Sequence, residues 1–330
     1  MDLDALYMQL ALNEAWKYQG LTYPNPPVGA VITAGKEMIA VAAHQKAGTS
    51  HAEVLALLYA YENISQRPIG FDPFDAHRAH DFLLSLPSGF FSQCTIYVTL
   101  EPCSHEGKTP SCANLLRSLD LYRVVVATRD PIQEHSGGIE RLKNVCFGIL
   151  QKEAEALLEP FVIWQKRAFV LFKIAQTSNA KIGGGYLSCD TSLKHVHRLR
   201  SICSKLLIGG NTVRTDRPTL DCRFIKEKAP DVIIYSKEKS FDASIPLFGV
   251  EHRKVEIRSD LHFLKQPSLI LVEGGEGMLL ALKEKIDWLL IYQTPKLSAN
   301  NLTYNTDMNL SFLYQTKKDV DLMIWSKRID

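Results

Sequence analysis

Two separate stretches of the chain carry side chains that can together hold a metal ion. HAEVLALLYA begins with His51 and Glu53, and TLEPCSHEGKTPSC contains Cys103 and Cys112. One imidazole and two thiolates are suitable ligands for zinc, and three protein ligands leave the fourth tetrahedral position open for water. Because an open position is typical of catalytic sites, the pattern predicts that His51, Cys103 and Cys112 bind a catalytic zinc ion.

Glu53 follows His51 by two residues in the first turn of a predicted helix, so its side chain points elsewhere around the axis and can face a water at the open position. Zinc deaminases carry the signature H-x-E…P-C-x-x-C, in which this glutamate is the general acid and base. The pattern therefore predicts hydrolytic deamination with Glu53 as the proton shuttle. Two observations leave other interpretations open. The cysteines are separated by eight residues where most such deaminases have two, and a polar pair before an apolar helix often only caps it.

The elements that must position these residues alternate between helix and strand. In the first half, apolar spacing predicts an N-terminal helix, strands VGAVIT and EMIAVAA, a helix from Ala52, strand TIYVTL, a helix from about Cys112 and strand RVVVAT. Residues 62–92, rich in proline, glycine and polar side chains, are predicted to be an insertion with one short helix near 76–86. Its His77 and His80 are predicted to lie at the surface.

A second α/β series follows a predicted junction. Residues 151–166 are predicted to form a helix broken at Pro160. The series then runs through FVLFKIA, a helix around SLKHVHRLRS, KLLIGG, DVIIYS, LILVEGG, the helix GMLLALKEKI and WLLIYQT. Because 330 residues exceed the usual size of one domain, we expect a first domain at 1–150, a junction at 151–167 and a second domain at 168–330.

Composition and charge argue against several classes of partner. The chain has 38 basic and 36 acidic side chains, so its formal charge of +2 provides no strong electrostatic case for a nucleic acid. The N-terminus lacks the basic start and continuous apolar core of a signal peptide, and no apolar run approaches the roughly eighteen residues of a membrane span. Seven cysteines form an odd and sparse set, which favours a reducing compartment over a disulfide framework. We therefore expect a cytoplasmic protein without nucleic acid or membrane partners, and the near-neutral charge is compatible with a compact, locally charged substrate.

The long cysteine spacing and the residues that fill it are specific. PCSHEGKTPSC, together with TYPNPPVGAVI and HQKAGTSHAEVLAL, closely resembles the bifunctional deaminase-reductase family of riboflavin biosynthesis. The resemblance implies an α/β chain, with a cytidine-deaminase-like three-layer domain followed by a dihydrofolate-reductase-like domain. It implies that the first domain hydrolyses the 2-amino group of a diamino-pyrimidinone carrying a phosphoribosylamino group. It also implies that the second reduces the ribosyl group to ribityl, so that the cofactors are zinc and NADPH.

The resemblance also implies roles for individual residues of the first domain. It makes His51, Cys103 and Cys112 the zinc ligands and Glu53 the proton shuttle. The substrate contacts that it implies there are Asn25, His44, His105 and Lys108. Without the motif, an asparagine between prolines is ordinarily a turn residue and a lysine after a glycine is ordinarily solvated.

The second half resembles the family's reductase through HRLRSICSKLLIGGNTVRTDRPTLDCR and LVEGGEGML. In the latter, a strand, a glycine turn and a helix place backbone N–H groups where a dinucleotide phosphate can sit, although such a turn is more often a simple connection. The substrate contacts implied by the resemblance are Arg200, Leu220, Arg223 and Glu273. The implied cofactor contacts are Ala175, Thr212, Asp216, Gly275, Glu276 and Gly277. Two arginines suit a phosphate, but Arg200 on its helix can equally be an exposed surface charge.

Two stretches depart from the reductase pattern. TSNAK places Asn179 and Ala180 where the family usually has an aspartate and a glycine, and Leu187 stands near a position where the family usually carries tryptophan. Hydride transfer is the chemistry of the cofactor, and the protein mainly orients it. Altered packing here can therefore lower the reductase rate without abolishing it.

Two alternatives remain open from the sequence. One is a zinc deaminase of a nucleoside or tRNA base with a non-catalytic C-terminal domain, and the other is a binding module with structural zinc. The cysteine spacing and the near-neutral charge disfavour the first. Three ligands and a free Glu53 disfavour the second, because structural sites usually have four ligands. We expect the bifunctional enzyme to form a homo-oligomer, namely a dimer.

Overall fold

The computed structural model describes residues 2–132, 136–183 and 185–329. By its internal contacts the chain divides into two compact units, Met1–Val162 and Ile163–Asp330. Among the described residues, no helix combines the length and the apolar content needed to cross a membrane.

The first unit contains a five-stranded sheet in the order β2-β1-β3-β4-β5. Its strands are β1 (Gly29–Ala34), β2 (Glu37–Ala43), β3 (Cys94–Val98), β4 (Arg123–Val126) and β5 (Val145–Phe147). Its helices are α1 (Leu3–Trp16), α2 (Ala52–Ser65), α3 (Ala76–Leu84), α4 (Cys112–Ser118) and α5 (Gln151–Trp164), with a 3₁₀ turn at Ile139–Arg141. β1 runs antiparallel to β2 and β3, whereas β3, β4 and β5 are parallel.

Successive residues of β1 face opposite sides of this sheet. Gly29 faces α1, where an added Cβ would overlap the carbonyl oxygen of Ala11, so the helix packs directly on the strand backbone. Ala30 and Ile32 face the other side and share a core with the apolar residues of α2. The resulting layers of helix, sheet and helix confirm the predicted cytidine-deaminase-like domain.

The second unit contains an eight-stranded sheet in the order β12-β13-β11-β6-β10-β7-β8-β9. Its strands are β6 (Ala168–Thr177), β7 (Lys205–Gly209), β8 (Val232–Tyr235), β9 (Val255–Arg258), β10 (Ser268–Glu273), β11 (Trp288–Thr294), β12 (Leu310–Lys318) and β13 (Asp321–Arg328). Its helices are α6 (Asp190–Ile202), α7 (Gly210–Asp216) and α8 (Glu276–Leu282), with 3₁₀ turns at Pro246–Gly249, His262–Lys265 and Lys283–Lys285.

The strands from β11 to β9 in this order are parallel, whereas β12 and β13 form an antiparallel hairpin at the other end. The interior strands are buried along most of their length, as parallel strands covered on both faces are. Ligands of such sheets bind outside the carboxyl ends of the strands. The fold therefore points to this edge as the place for the second site.

The helices and strands predicted from apolar spacing are present, but the predicted break at Pro160 is wrong. α5 continues through that residue to Trp164. Proline removes one backbone donor from a helix. The buried side chains of Leu157, Leu158 and Phe161 anchor the helix on either side of it, so it remains continuous.

Several elements were not predicted, namely α7, β5, β9, β12 and β13. β5 and β9 are short and only partly buried, so they carry little periodic signal. β12 shows no clean alternation of buried and exposed residues, and its pairing with β13 shifts register between Phe312 and Tyr314. Such irregular edge strands are defined by pairing with a neighbour rather than by their own pattern.

Candidate active sites

His51, Cys103 and Cys112 come together in the first unit. His51 is the N-cap residue of α2, Cys112 is the first residue of α4, and Cys103 lies in the loop between β3 and α4. Nδ1 of His51 is 3.7 Å from Sγ of Cys103 and 3.4 Å from Sγ of Cys112. All three ligand atoms lie within 4.8 Å of one another. The fold thus joins a histidine and two thiols that stand 52 and 61 positions apart in the chain.

These distances fit a zinc ion. With Zn–N of about 2.0 Å and Zn–S of about 2.3 Å, a tetrahedral ion separates its nitrogen and sulfur ligands by about 3.5 Å. The measured 3.4 and 3.7 Å lie on either side of that value. The thiol of Cys112 bonds to the sulfur of Cys103 and lowers the pKa of Cys103 to about 4, so a thiolate forms readily at neutral pH.

Glu53 lies in the first turn of α2, beside this cluster, and is only 4% exposed. Burial raises the pKa of its carboxyl above the ordinary value of 4.5, while the charge of His51 opposes that shift. A raised pKa suits a group that accepts and returns a proton near neutral pH. The geometry therefore places a buried carboxyl with a raised pKa beside the three candidate zinc ligands, and the role of Glu53 as the proton shuttle stays a prediction.

Thr109 orients His51, a contact that sequence reasoning missed. Its Oγ1 lies 3.2 Å from Nε2 of His51. Because Nδ1 faces the two sulfurs, Nε2 carries the proton and donates it to the hydroxyl oxygen. A partner of this kind fixes the tautomer and ring orientation of a ligating histidine. The available signal was a hydroxyl residue within the cysteine motif, three positions before Cys112.

Hydrogen bonds to the backbone connect the segments that carry the two cysteines, independently of any metal. The hydroxyl of Ser111 donates to the carbonyl oxygen of Cys103 at 2.8 Å, and the N–H of Ala113 donates to the same oxygen at 3.1 Å. Ser111 also caps α4 by accepting from the N–H of Asn114 at 3.3 Å. The helix start that carries Cys112 is thereby tied to the loop that carries Cys103.

Glu101 organises the loop behind Cys103 and was likewise missed. One of its carboxylate oxygens accepts three consecutive backbone N–H groups of residues 137–139, at 2.9, 2.9 and 3.2 Å. At Gly138, an added Cβ would overlap the carbonyl oxygen of Pro102. The loop therefore packs closely against the segment that leads into the first cysteine.

Asn25 and His44, two predicted substrate contacts, lie together next to the cluster. Nδ1 of His44 is 3.2 Å from the carbonyl oxygen of Ser50, and Nε2 is 3.1 Å from Nδ2 of Asn25. Nδ1 therefore donates and Nε2 accepts from the Asn25 amide, which requires a neutral ring. Burial lowers the pKa of His44 to about 4 and so keeps it neutral at pH 7. The ring centroids of His44 and His51 are 5.3 Å apart.

His105 and Lys108, the other predicted substrate contacts, lie on the loop between the two cysteines. Both are exposed. Within the described ranges, no salt bridge involves Lys108, so its ammonium is available to an anionic group on a substrate. Their roles stay predictions.

The prediction that His80 lies at the surface is wrong. α3 packs against α2 and α4 and buries His80 to 4% exposure, whereas His77 is exposed as predicted. Burial lowers the pKa of His80 to about 4, and the ring interacts electrostatically with Cys103 and His51. The 62–92 segment therefore contributes a buried neutral imidazole near the ligand cluster. The prediction of a surface position for His80 failed because the sequence of the insertion does not show which helices it packs against, and those contacts decide which of its side chains are buried.

The second unit has a cleft of about 400 Å³ at the carboxyl ends of its parallel strands, a size in the usual range for small-molecule sites. It is lined by residues 209–212 after β7, 235–237 at the end of β8 and 275–278 after β10, with Ser259 and Ala281. We call it the strand-end cleft.

Four of the six predicted cofactor residues line the strand-end cleft, namely Thr212, Gly275, Glu276 and Gly277. Ala175 lies on β6 and Asp216 at the end of α7, and neither is among the described residues that line the cleft. The cleft is adjacent to Glu273, the last residue of β10, which was predicted to contact the substrate.

Arg200 and Glu273 form a buried ion pair in the second unit. Nε and Nη2 of Arg200 donate to the two carboxylate oxygens at 2.6 and 2.9 Å, and Nζ of Lys173 lies 3.1 Å from the same carboxylate. Burial opposes ionisation, but Arg200 and Lys173 hold the pKa of Glu273 well below its ordinary value. With its side chain 12% exposed, Arg200 is not the surface charge that its helical position allowed.

Three of the four predicted reductase substrate residues, Arg200, Leu220 and Arg223, lie around Asp221. Nη1 of Arg200 donates to its carbonyl oxygen at 3.1 Å, and Nε of Arg223 donates to its carboxylate at 2.7 Å. Leu220 directly precedes it, is buried and has a φ of 56°. His197, which was not predicted as a site residue, also lies here, with Nε2 3.5 Å from Nη1 of Arg200.

The TSNAK turn forms in spite of its departures from the family pattern. Asn179 accepts from the hydroxyl of Thr177 at 2.7 Å and from the N–H of Ser298 at 3.1 Å, and its amide donates to the carbonyl oxygen of Ser298 at 2.9 Å. Ala180 adopts a φ of 57°, the left-handed conformation that favours glycine. The chain therefore keeps the backbone shape of a glycine turn with a strained alanine.

Comparison with known proteins identifies the family. Residues 1–128 match the "Cytidine and deoxycytidylate deaminase zinc-binding region" and residues 173–298 match the "RibD C-terminal domain". The riboflavin biosynthesis protein RibD of Aquifex aeolicus (strain VF5) is 31% identical, and the match covers 99% of both chains. The chain belongs to the RibD family.

Solved structures agree with this membership. A deaminase/reductase from Thermotoga maritima is 25% identical, with a TM-score of 0.66 over 99% of both chains. Acinetobacter baumannii RibD has the same fold, with 22% identity and a TM-score of 0.66 over 99% of both chains. Like other RibD proteins, the chain is a bifunctional riboflavin-biosynthesis enzyme, with a zinc-binding deaminase domain and an NADPH-using reductase domain. A match of the second half to the RibD C-terminal domain does not favour the alternative of a non-catalytic second domain.

Proposed function

We propose that the enzyme first hydrolyses the 2-amino group of a diamino-(phosphoribosylamino)pyrimidinone, and then reduces the ribosyl group of the product to ribityl with NADPH. The observation that carries the proposal is the cluster of His51, Cys103 and Cys112 with the buried carboxyl of Glu53 beside it. The Thermotoga maritima protein, similar along its whole length, is described as a diaminohydroxyphosphoribosylaminopyrimidine deaminase and 5-amino-6-(5-phosphoribosylamino)uracil reductase.

In the deaminase, His51, Cys103 and Cys112 would hold the zinc ion. When bound, zinc supplies Lewis-acid activation of the attacking water. Glu53 takes one proton from that water and gives it to the ring nitrogen as the C–O bond forms. It then takes the remaining proton from the same oxygen and gives it to the amine, so that the C–N bond breaks and ammonia leaves. Its raised pKa allows it to hold the proton between the two transfers.

The pyrimidine is held by side chains that surround the cluster. Asn25, oriented by its bond to His44, offers amide hydrogen-bonding groups to the edge of the ring. His105 and Lys108 on the loop between the cysteines contact the substrate, with Lys108 available to its phosphate or a ring carbonyl.

In the reductase, NADPH supplies the hydride when it is bound, and the chain orients cofactor and substrate. The cofactor contacts that we propose are Ala175, Thr212, Asp216, Gly275, Glu276 and Gly277, four of which line the strand-end cleft. Arg223, whose side chain is 48% exposed, is the arginine available to the substrate phosphate. Arg200, Leu220 and Glu273 form the wall beside it, since both charges of the Arg200–Glu273 pair are already satisfied by each other.

We propose that the deaminase domain comprises residues 1–150 with an insertion at 62–92, the junction residues 151–167 and the reductase domain residues 168–330. The division of internal contacts after Val162 supports this organisation. Exposed apolar side chains in the second unit, such as Phe312 at 72%, support a homodimer. The near-neutral charge supports a small molecule rather than a nucleic acid as partner, and the sparse, odd set of cysteines supports a cytoplasmic location without membrane attachment.

The test is a pair of assays on the zinc-loaded full chain. We expect about one zinc per chain, release of ammonia from the diamino-pyrimidinone substrate, and oxidation of NADPH only when the deaminated uracil product is supplied. A metal-loaded protein that releases no ammonia from this substrate would refute the deaminase half. Ammonia release without any NADPH oxidation would refute the reductase half alone.

A further inference from the structure

The 62–92 segment is anchored on α2, the helix that begins at the metal cluster. Its helix α3 buries Ala79 and Leu83 in the same core as the apolar residues of α2. The ring of Tyr61 on α2 lies edge-to-face against that of Phe82 on α3, with the ring centroids 4.9 Å apart. The segment therefore has a fixed position beside the first site, from which its turns can contact residues of that site.

The turn that enters α3 is fixed by its own hydrogen bonds. The carboxylate of Asp72 accepts from the N–H of Phe74 at 3.0 Å, and the carbonyl oxygen of Asp72 accepts from the N–H of Asp75 at 3.1 Å. The carboxylate of Asp75 caps α3 by accepting from the N–H of Arg78 at 3.1 Å. These bonds hold the backbone of the turn, and with it the directions of the Pro73 and Phe74 carbonyl groups.

Both of these carbonyl groups accept hydrogen bonds from Ser50. The hydroxyl of Ser50 donates to the carbonyl oxygen of Pro73 at 2.6 Å, and its N–H donates to that of Phe74 at 3.3 Å. Ser50 is fully buried, so the two bonds are shielded from water. Because Ser50 directly precedes His51, the 62–92 segment holds the backbone where the chain enters α2.

Ser50 is also bonded to His44, the hydrogen-bond partner of Asn25. Nδ1 of His44 donates to the carbonyl oxygen of Ser50 at 3.2 Å, which leaves Nε2 to accept from Nδ2 of Asn25 at 3.1 Å. The backbone of Asn25 is held separately, because its N–H donates to the carbonyl oxygen of Thr22 at 2.8 Å. The bond to His44 therefore decides how the Asn25 side chain is turned, and which of its amide atoms remain for a ligand.

We infer that the 62–92 segment holds the deaminase substrate site in its binding geometry, with Ser50 as a positioning residue that acts through His44 on the amide of Asn25. Two carbonyl groups of the segment fix Ser50, the carbonyl group of Ser50 fixes the ring of His44, and that ring fixes the amide that meets the edge of the pyrimidine. An amide that is already oriented loses less conformational freedom when the substrate binds. The inference rests on the proposed deaminase function, because it requires the pyrimidine to lie against Asn25.

The test measures binding of the diamino-pyrimidinone substrate by calorimetry to the full-length, zinc-loaded Glu53→Gln protein, in which turnover is slow. Adding Ser50→Ala removes the bond to Pro73 and is expected to weaken substrate binding about 3- to 10-fold, the usual net size of one hydrogen bond. The zinc content is expected to stay at one per chain. When Asn25→Ala is already present, Ser50→Ala is expected to weaken binding by less than about 1.5-fold further, because the side chain through which Ser50 acts is gone.

Ser85→Ala is the matched control. Ser85 follows the last residue of α3, and its hydroxyl likewise donates to a backbone carbonyl oxygen, that of Phe82 at 2.7 Å. This variant therefore loses the same kind of bond within the 62–92 segment, but at a position that does not contact Ser50. It is expected to leave substrate binding unchanged.

Three results would overturn the inference. Ser50→Ala would leave substrate binding as tight as in the Glu53→Gln protein, or would weaken it equally with and without the side chain of Asn25, or would lose zinc, which would place its action on His51. In each case, substrate binding by the Glu53→Gln protein leaves the proposed deaminase function intact. A zinc-loaded Glu53→Gln protein that does not bind the substrate would overturn both the inference and the deaminase half of the proposed function.

Discussion

Replacing Thr109 with valine is expected to weaken zinc binding and deamination together. Valine keeps the branched shape of threonine but removes the hydroxyl oxygen that accepts from Nε2 of His51 at 3.2 Å. Thr109 is only 9% exposed, so little water can replace the lost acceptor. The imidazole then has a protonated nitrogen without a partner and is no longer held in the tautomer that presents Nδ1 to the metal.

The magnitude follows from the cost of that unpaired donor. A buried donor without a partner costs about 1–3 kcal/mol, which corresponds to a factor of roughly 5–150 in a binding constant. Loss of the outer partner of a metal-bound histidine typically costs about 10- to 100-fold in affinity or activity. The two ranges overlap, so we expect the zinc dissociation constant of Thr109→Val to rise about 10- to 100-fold.

The assay is competition for zinc against a chromophoric chelator at fixed pH, followed by ammonia release at saturating zinc. Thr109→Ser keeps the hydroxyl and is expected to retain most of the affinity. Thr49→Val is a control for the loss of a threonine hydroxyl elsewhere, since Thr49 is partly exposed and its hydroxyl donates to the carbonyl oxygen of Lys46 in its own turn. Original zinc affinity and original deamination in Thr109→Val would refute the conclusion that this hydroxyl orients His51.

Three further outcomes are expected. Glu53→Gln should lower the rate of ammonia release about 10²- to 10⁴-fold, the usual contribution of a general acid and base. Metal analysis should still find one zinc per chain in this variant, and loss of zinc would mean that Glu53 is a ligand. Ala180→Gly should raise the free energy of unfolding by roughly 0.5–1 kcal/mol, because the backbone strain of an alanine at positive φ costs more than the extra conformational entropy that glycine gives the unfolded chain. A lower midpoint in denaturant unfolding would contradict that reasoning. Glu273→Gln should destabilise the protein at neutral pH and flatten the acid side of its stability profile. Because Arg200 and Lys173 hold the folded pKa of Glu273 below its ordinary 4.5, the carboxylate stabilises the fold above that pH and loses this contribution as the pH falls toward the folded pKa. An unchanged profile in denaturant unfolding across that range would show that the ion pair does not contribute.

The sequence by itself determined the chemistry of the first site. The types and spacing of His51, Glu53, Cys103 and Cys112 predict a catalytic zinc, because only a few side chains bind that ion and three of them leave a position open. The α/β order of both halves was also predictable, since each helix and strand that packs on a sheet must carry apolar residues at its own period. The short or irregular elements β5, β9, β12 and β13 were not, because partners elsewhere in the chain define them.

Only the tertiary structure decided which polar groups pair and which face each helix buries. Thr109 reaches His51 across 58 positions, and Arg200 reaches Glu273 across 73. His80 is buried because α3 meets α2 and α4, although its own helix would allow exposure. The type of a side chain sets which bonds it is able to make. Its burial and its bonding partner depend on distant segments that folding brings next to it, and no local pattern encodes which segments these are.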